Sequence, residues 1–187
     1  RDESLVEEVW PGVERAAEFL VNNVEPNGLP GSSVDLWEER EGQHTYSCAA
    51  VYGGLLAAAK LARQRGDAAM GRRWEETARR IQSRIEELCW DGERGHYVRG
   101  LNLRIEPDQA NDNLLRGIGT QCVAGPKGYL QCTQDIDPVL DTSLLGVSVP
   151  FGLVDAGHPR MVATARAVAA SLTSPLVGGL IRYEEAP

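Results

Sequence analysis

The stretch Tyr46–Ala59, YSCAAVYGGLLAAA, decides the fold. Small or apolar residues fall on every side of its helical wheel. A helix that is apolar all round is a buried helix, not a surface one. The spacing predicts a helix from about Thr45 to Arg65, with Gly53, Gly54 and the alanines letting neighbouring helices come close. Gly66-Asp67 ends it and caps the next. The longest apolar run, Cys48 to Ala59, is too short to cross a bilayer.

Outward from this segment the pattern changes. Downstream, Met70, Trp74, Ala78, Ile81, Ile85 and Leu88 recur at steps of three and four, with Arg and Glu between them. That is an amphipathic outer helix, and its Arg/Glu run a solvated face. Upstream, Leu5, Val9, Val13, Ala16, Ala17, Leu20 and Val21 trace another such helix. Ser4 with Glu7 has the capping-box spacing, and Pro11 bends this helix or marks its first turn. Residues 91–136 lack helical period and are rich in Gly, Asn, Asp and Pro, with β-like pieces such as GHYVRGLNLRI. They predict a long irregular loop or a short hairpin at about 94–135. Asp137-Pro138 then caps an apolar helix that includes LDTSLLGVSVPF, and Pro159 begins a fifth along Met161, Val162, Ala165, Val168, Ala169 and Leu172. Alternating amphipathic and all-apolar helices predict an all-α fold in two concentric layers. A tetratricopeptide-type array is the helical competitor, but no internal period supports one.

The chain has 187 residues and a net charge of −8, with acids and bases interspersed. That argues against nucleic acid or an anionic membrane as partner. The chain opens with Arg1-Asp2-Glu3, where no signal peptide is visible; either one was removed or the chain is a fragment of a longer one. Four cysteines without CxxC spacing, and only three histidines, argue against a zinc site and imply no cofactor. Cys48 and Cys89 fall on apolar faces as inert thiols. Cys122 and Cys132 flank the turn-like 124–128, where a hairpin disulfide fits, although two free thiols is the preferred reading. His44 reads as a surface or supporting residue at a helix start, His158 as a cap or loop residue before Pro159.

Chemistry concentrates in Ser33–Arg40, SVDLWEER. In a two-layer helical barrel the loops that enter inner helices open on one face. This stretch is such a loop, and the terminal IRYEEAP leads towards the next. Together they would bring Trp, Tyr, Arg and several carboxylates to one mouth. Aromatics stack on sugar faces, carboxylates and arginine grip hydroxyls, and a protonated carboxylic acid can serve a glycosidic oxygen. The same residues also suit plainer roles. Glu38 and Glu39 fit first-turn acids at a helix dipole, Trp37 a core anchor and Arg182 a surface ion pair.

GLPGSSVDLWEEREGQHTYSCAAVYGGLLAAAKLA resembles the general-acid segment of glycoside hydrolase family 15, which includes glucoamylases, glucodextranases and some trehalases. DTSLLGVSVPFGLVDAGHPRMVATARAVAASL and GGLIRYEEAP resemble the same family in the same order. The resemblance covers the chain apart from a divergent loop at about 104–134. It implies part of an (α/α)6-barrel catalytic domain over 1–187, truncated at both ends, and inverting release of glucose from the non-reducing ends of α-glucosides. Glu38 matches the general acid and Glu39 a carboxylate on the leaving-group side. Asp35, Leu36 (through its carbonyl) and Trp37 match the pocket wall. Arg182, with Tyr183 and Glu184, matches the segment that grips the cleaved sugar. The implied partner is an α-glucan, oligosaccharide or disaccharide, and open helix faces would invite association.

Three departures stand out. The family's general base lies beyond the arginine-tyrosine segment, its Arg-Asp pair precedes the first helix here, and Val34 replaces an aromatic often found there. A non-catalytic helical binding or scaffold domain, or another α/α-barrel enzyme such as a phosphorylase or lyase, are the alternatives. Convergence of Glu38, Glu39 and Arg182 favours the hydrolase, and their separation the scaffold.

Overall fold

The computed structural model describes residues 3–184. Helix α1 spans Glu3–Asn22, α2 Thr45–Gln64 and α3 Ala68–Leu88. The described α1 already includes Ser4 and continues through Pro11. Asp67 caps α3, its side chain accepting from Met70 N at 2.8 Å. Gly71 lets α3 approach α2 closely, since a Cβ there would sit 2.9 Å from the Ala59 carbonyl oxygen. Trp74, Ala78, Ile81 and Ile85 of α3 are fully buried, as their spacing predicts. The Trp74 indole donates to Glu18 Oε1 of α1 at 2.9 Å, which pins the outer helix.

The all-α expectation is overturned. A five-stranded antiparallel sheet, in the order β1-β2-β5-β7-β6, occupies the middle of the chain. Its strands are β1 (Ser33–Val34), β2 (Glu41–His44), β5 (Gly100–Ile105), β6 (Thr120–Ala124) and β7 (Leu130–Asp137). A two-stranded ribbon joins β3 (Trp90–Asp91) to β4 (His96–Tyr97). The expected loop at 94–135 therefore contributes three strands to the five-stranded sheet, and it also holds a helix, α4, Pro107–Leu115. Leu101, Leu103 and Ile105 of β5 are buried, while Asn102 and Arg104 face out, the alternation of a strand with one covered face. Leu103, Ile105, Ala110 and Cys132 form a small separate core beneath α4.

Two further expectations change. LDTSLLGVSVPF is not an α-helix; only Thr142–Val147 coil, as a 3₁₀ turn. Asp141 starts that turn by accepting from Ser143 N at 2.7 Å. It cannot lengthen, because Pro150 lacks a donor and disfavours helix in the residue before it. The second concerns α2, which buries one face (Thr45, Cys48, Ala49, Tyr52, Leu55, Ala58, Ala59 and Ala62) while Gly54 and Ala57 remain exposed. Helix α5, Pro159–Leu172, forms as expected, with the His158 imidazole accepting from Arg160 N at 3.3 Å.

Cys122 and Cys132 face each other across β6 and β7 and form a disulfide, which overturns the free-thiol reading. Cys48 and Cys89 are buried free thiols. Burial raises both pKa values, that of Cys89 to about 11.

Candidate active site

SVDLWEER does not run straight into a helix. It is a β-hairpin: Val34 pairs with Glu41, and Asp35 N donates to the Arg40 carbonyl at 2.8 Å. The four residues Leu36–Glu39 form its tip. Glu38 N donates to the Asp35 carbonyl at 3.1 Å, closing a turn. The Asp35 side chain accepts from Glu39 N at 2.8 Å, so this buried carboxylate ties the tip from inside. Glu38 closes the loop at φ 60, the left-handed region that favours glycine. Its side chain and that of Leu36 are exposed. Trp37 is half-buried.

The chain end returns to this tip. Arg182 Nη1 donates to Glu39 Oε1 at 3.2 Å, and the Tyr183 hydroxyl donates to the other oxygen of the same carboxylate. The Arg182 guanidinium lies 5.4 Å from the centre of the Trp37 ring and 5.3 Å from that of Tyr183. Arg40 and Arg99 also stand against Tyr183, at 5.3 and 5.1 Å. Glu184, next along the chain, meets the Leu140 backbone: its carboxylate accepts from Leu140 N at 3.3 Å and its N–H donates to the Leu140 carbonyl. The structure thus brings together Trp37, Glu39, Arg182 and Tyr183, with Glu38 on the same four-residue tip.

Two residues that the sequence reading missed support the cluster. Asp141 is wholly buried, and its Oδ2 accepts from Trp37 Nε1 at 3.0 Å. Arg99, 4% exposed, donates through Nε to Asp137 Oδ2 at 2.6 Å. An Asp opening D-T-S is a cap signal that could have marked Asp141. Arg99 sits in a strand-like run where nothing local separates it from a surface arginine. A groove of about 340 Å³ beside the tip is lined by Glu39, Arg40, Glu41, Arg104 and Gln109. A larger one, about 670 Å³, lies along Arg72–Arg80 of α3 and shares no residue with the tip.

A helical core that carries carboxylates, arginine and aromatics on a hairpin tip has the equipment of a carbohydrate-handling domain. The chain belongs to the glycosyl hydrolases family 15, whose model matches residues 3–186. It is 27% identical over 184 residues to an uncharacterised glycosyl hydrolase of Methanocaldococcus jannaschii, covering 98% of this chain and 24% of that protein. Its fold resembles that of a bacterial glucoamylase solved in complex with acarbose, with a TM-score of 0.61 and 21% identity, over 91% of this chain and 24% of the other. It also resembles a GH78 rhamnosidase of Bacillus sp. GL1, with a TM-score of 0.58 and 14% identity, over 95% and 16% of the two chains. The chain therefore spans about a quarter or less of the length of these relatives.

Proposed function

We propose that this chain is the acid-bearing part of an inverting, exo-acting glycoside hydrolase that releases glucose from α-glucosides. The observation that carries the reading is the meeting of Glu39 with Arg182 and Tyr183 beside Trp37. Glu38 is the general acid, protonating the glycosidic oxygen as the bond to the anomeric carbon breaks. Its place at a backbone-strained hairpin tip is in keeping with a residue kept for chemistry. Glu39, Asp35, Trp37 and the Leu36 carbonyl hold the sugar on the leaving-group side. Arg182 and Tyr183, with Glu184 beside them, hold the sugar that is cleaved.

Inversion needs a second carboxylate roughly 6.5–9.5 Å from the acid, with a water between them. We assign that base to a residue outside 3–184. Glu184 is engaged by the Leu140 backbone, and Glu185 lies outside the described residues.

The test is the first-formed anomer. The full-length protein, given maltose, isomaltose or trehalose, should release β-glucose before mutarotation, seen by proton NMR. Because the leaving sugar keeps its own anomeric form, inversion gives one α- and one β-glucose from trehalose, and β-glucose in excess of the reducing-end ratio from maltose or isomaltose. Two α-glucoses from trehalose, or no such β excess, would refute inversion, and sugar phosphate formed only with added phosphate would identify a phosphorylase instead. The 187 residues alone should release no significant glucose. Multiple turnover by them, abolished by Glu184→Gln or Glu185→Gln, would place the base within this chain.

A further inference from the structure

Behind the hairpin tip lies a buried ionic cluster of Arg99, Asp137 and Asp141, none more than 4% exposed. Buried charges of this kind are costly unless paired, so their arrangement is informative. Arg99 is committed to Asp137 through Nε at 2.6 Å. Its Nη1 stands 3.9 Å from Asp141 Oδ2 and makes no hydrogen bond among the described residues. Asp141 divides its carboxylate: Oδ1 accepts from Ser143 N at 2.7 Å, and Oδ2 accepts from Trp37 Nε1 at 3.0 Å. The backbone of Asp141 forms a bridge with Tyr183, and the next residue, Thr142, donates its N–H to the Arg182 carbonyl at 2.8 Å. The side chain of one residue therefore holds the hairpin tip, while its main chain holds the returning arginine-tyrosine segment.

We propose that Asp141 is the positioning residue of the site. It fixes the plane of the Trp37 ring, and so the register of the tip against Arg182 and Tyr183. A half-buried tryptophan on a four-residue tip can rotate about two torsions. The charge-assisted bond to Asp141 selects one orientation, with the Arg182 guanidinium 5.4 Å from the ring centre. The Arg99 guanidinium sets a positive charge 3.9 Å from Asp141 Oδ2, beside the carboxylate that holds the ring. This role rests on the reading above that Trp37 walls the sugar pocket.

The experiment uses the full-length protein with Asp141→Asn, Trp37→Phe and the double variant. The first readout does not depend on activity. In protein labelled with 5-fluorotryptophan, the fluorine resonance lost in Trp37→Phe should shift in Asp141→Asn, while those of Trp10, Trp74 and Trp90 stay in place. The second is kcat/KM on maltose. Asp141→Asn should cost about tenfold in the wild-type background and less than about twofold in Trp37→Phe, because residues that act through one another are not additive. An unmoved Trp37 resonance, or additive losses, would overturn the proposal. If Asp141→Asn fails to fold, Trp37→Phe reads the same bond, since it keeps an aromatic ring and removes only the donor and the second ring. Undiminished kcat/KM in that variant would overturn the proposal too. A wild-type protein without glucosidase activity would sink the functional reading, and the fluorine spectrum would still decide whether Asp141 fixes Trp37.

Discussion

Arg182 donates to Glu39 at 3.2 Å across 143 residues of chain. The two side chains are 55% and 35% exposed, so solvent screens the pair and it adds little to stability. Its effect is geometric: it registers the chain end against the hairpin tip.

Glu39→Gln should therefore change unfolding free energy by less than about 1 kcal/mol. In the full-length protein it should raise KM for maltose by an order of magnitude or more, about 1.4 kcal/mol of lost binding. Urea unfolding and steady-state kinetics on the same preparation separate the two effects. A large loss of stability with an unchanged KM would show the pair to be a fold element instead.

The tip carries a conformational cost at Glu38, whose φ of 60 is unfavourable for any residue with a Cβ. Glu38→Gly should relieve roughly 1 kcal/mol of it, partly offset by the added freedom of glycine in the unfolded chain. The variant should unfold at equal or higher urea concentration than the wild type while losing hydrolysis. A clear destabilisation would mean that the Glu38 side chain makes contacts the fold needs.

His44 gives the fold a pH dependence. Burial holds its pKa below the usual imidazole value, outweighing the Arg40 carbonyl, which accepts from Nε2 at 3.0 Å, and the nearby Asp35 and Asp137. The unprotonated Nδ1 is buried with no hydrogen-bond partner among the described residues, close against Gly100. A depressed histidine pKa means the unfolded chain takes up a proton first. The contribution of His44 is thus full above about pH 6.5 and is lost as pH falls towards the lower folded value. The stability gap between wild type and His44→Gln should narrow from pH 7.5 to pH 5.5. A constant or widening gap would show that His44 is not buried neutral.

The cysteines make a covalent prediction. Under native, non-reducing conditions Cys48 and Cys89 should resist alkylation, being 1% and 0% exposed. After unfolding without reductant these two should react, and a proteolytic digest should contain Cys122 linked to Cys132. Four alkylated cysteines would contradict the pairing.

The helices that bury a periodic face were legible in the sequence. Trp74, Ala78, Ile81 and Ile85 announce α3 through local spacing, and Pro159 announces α5. The sheet was not, because its strands are defined by distant partners. Glu41-Gly42-Gln43-His44 has no strand signature and becomes one by pairing Gln43 with Leu101 and His44 with Gly100. Strand β6 is almost wholly exposed, so it lacks the apolar alternation that would betray it. The apolar run 140–151 promised a helix by composition, and Pro150 stops it after a short 3₁₀ segment, Thr142–Val147. In the candidate site, the resemblance picked out Trp37, Glu39, Arg182 and Tyr183, and the structure brings them together. Asp141 and Arg99 stayed hidden because what they do depends on contacts made across the fold.

Glu38 as proton donor is the central assignment. The direct measurement is turnover of maltose and of α-glucosyl fluoride by the full-length protein and its Glu38→Gln variant. A glucoside leaving group departs poorly unprotonated, whereas fluoride needs little help. Maltose turnover should fall by about 10²–10⁴-fold, the usual contribution of general acid catalysis, while fluoride turnover should fall far less. Equal losses on both substrates, or maltose turnover close to wild type, would contradict the assignment.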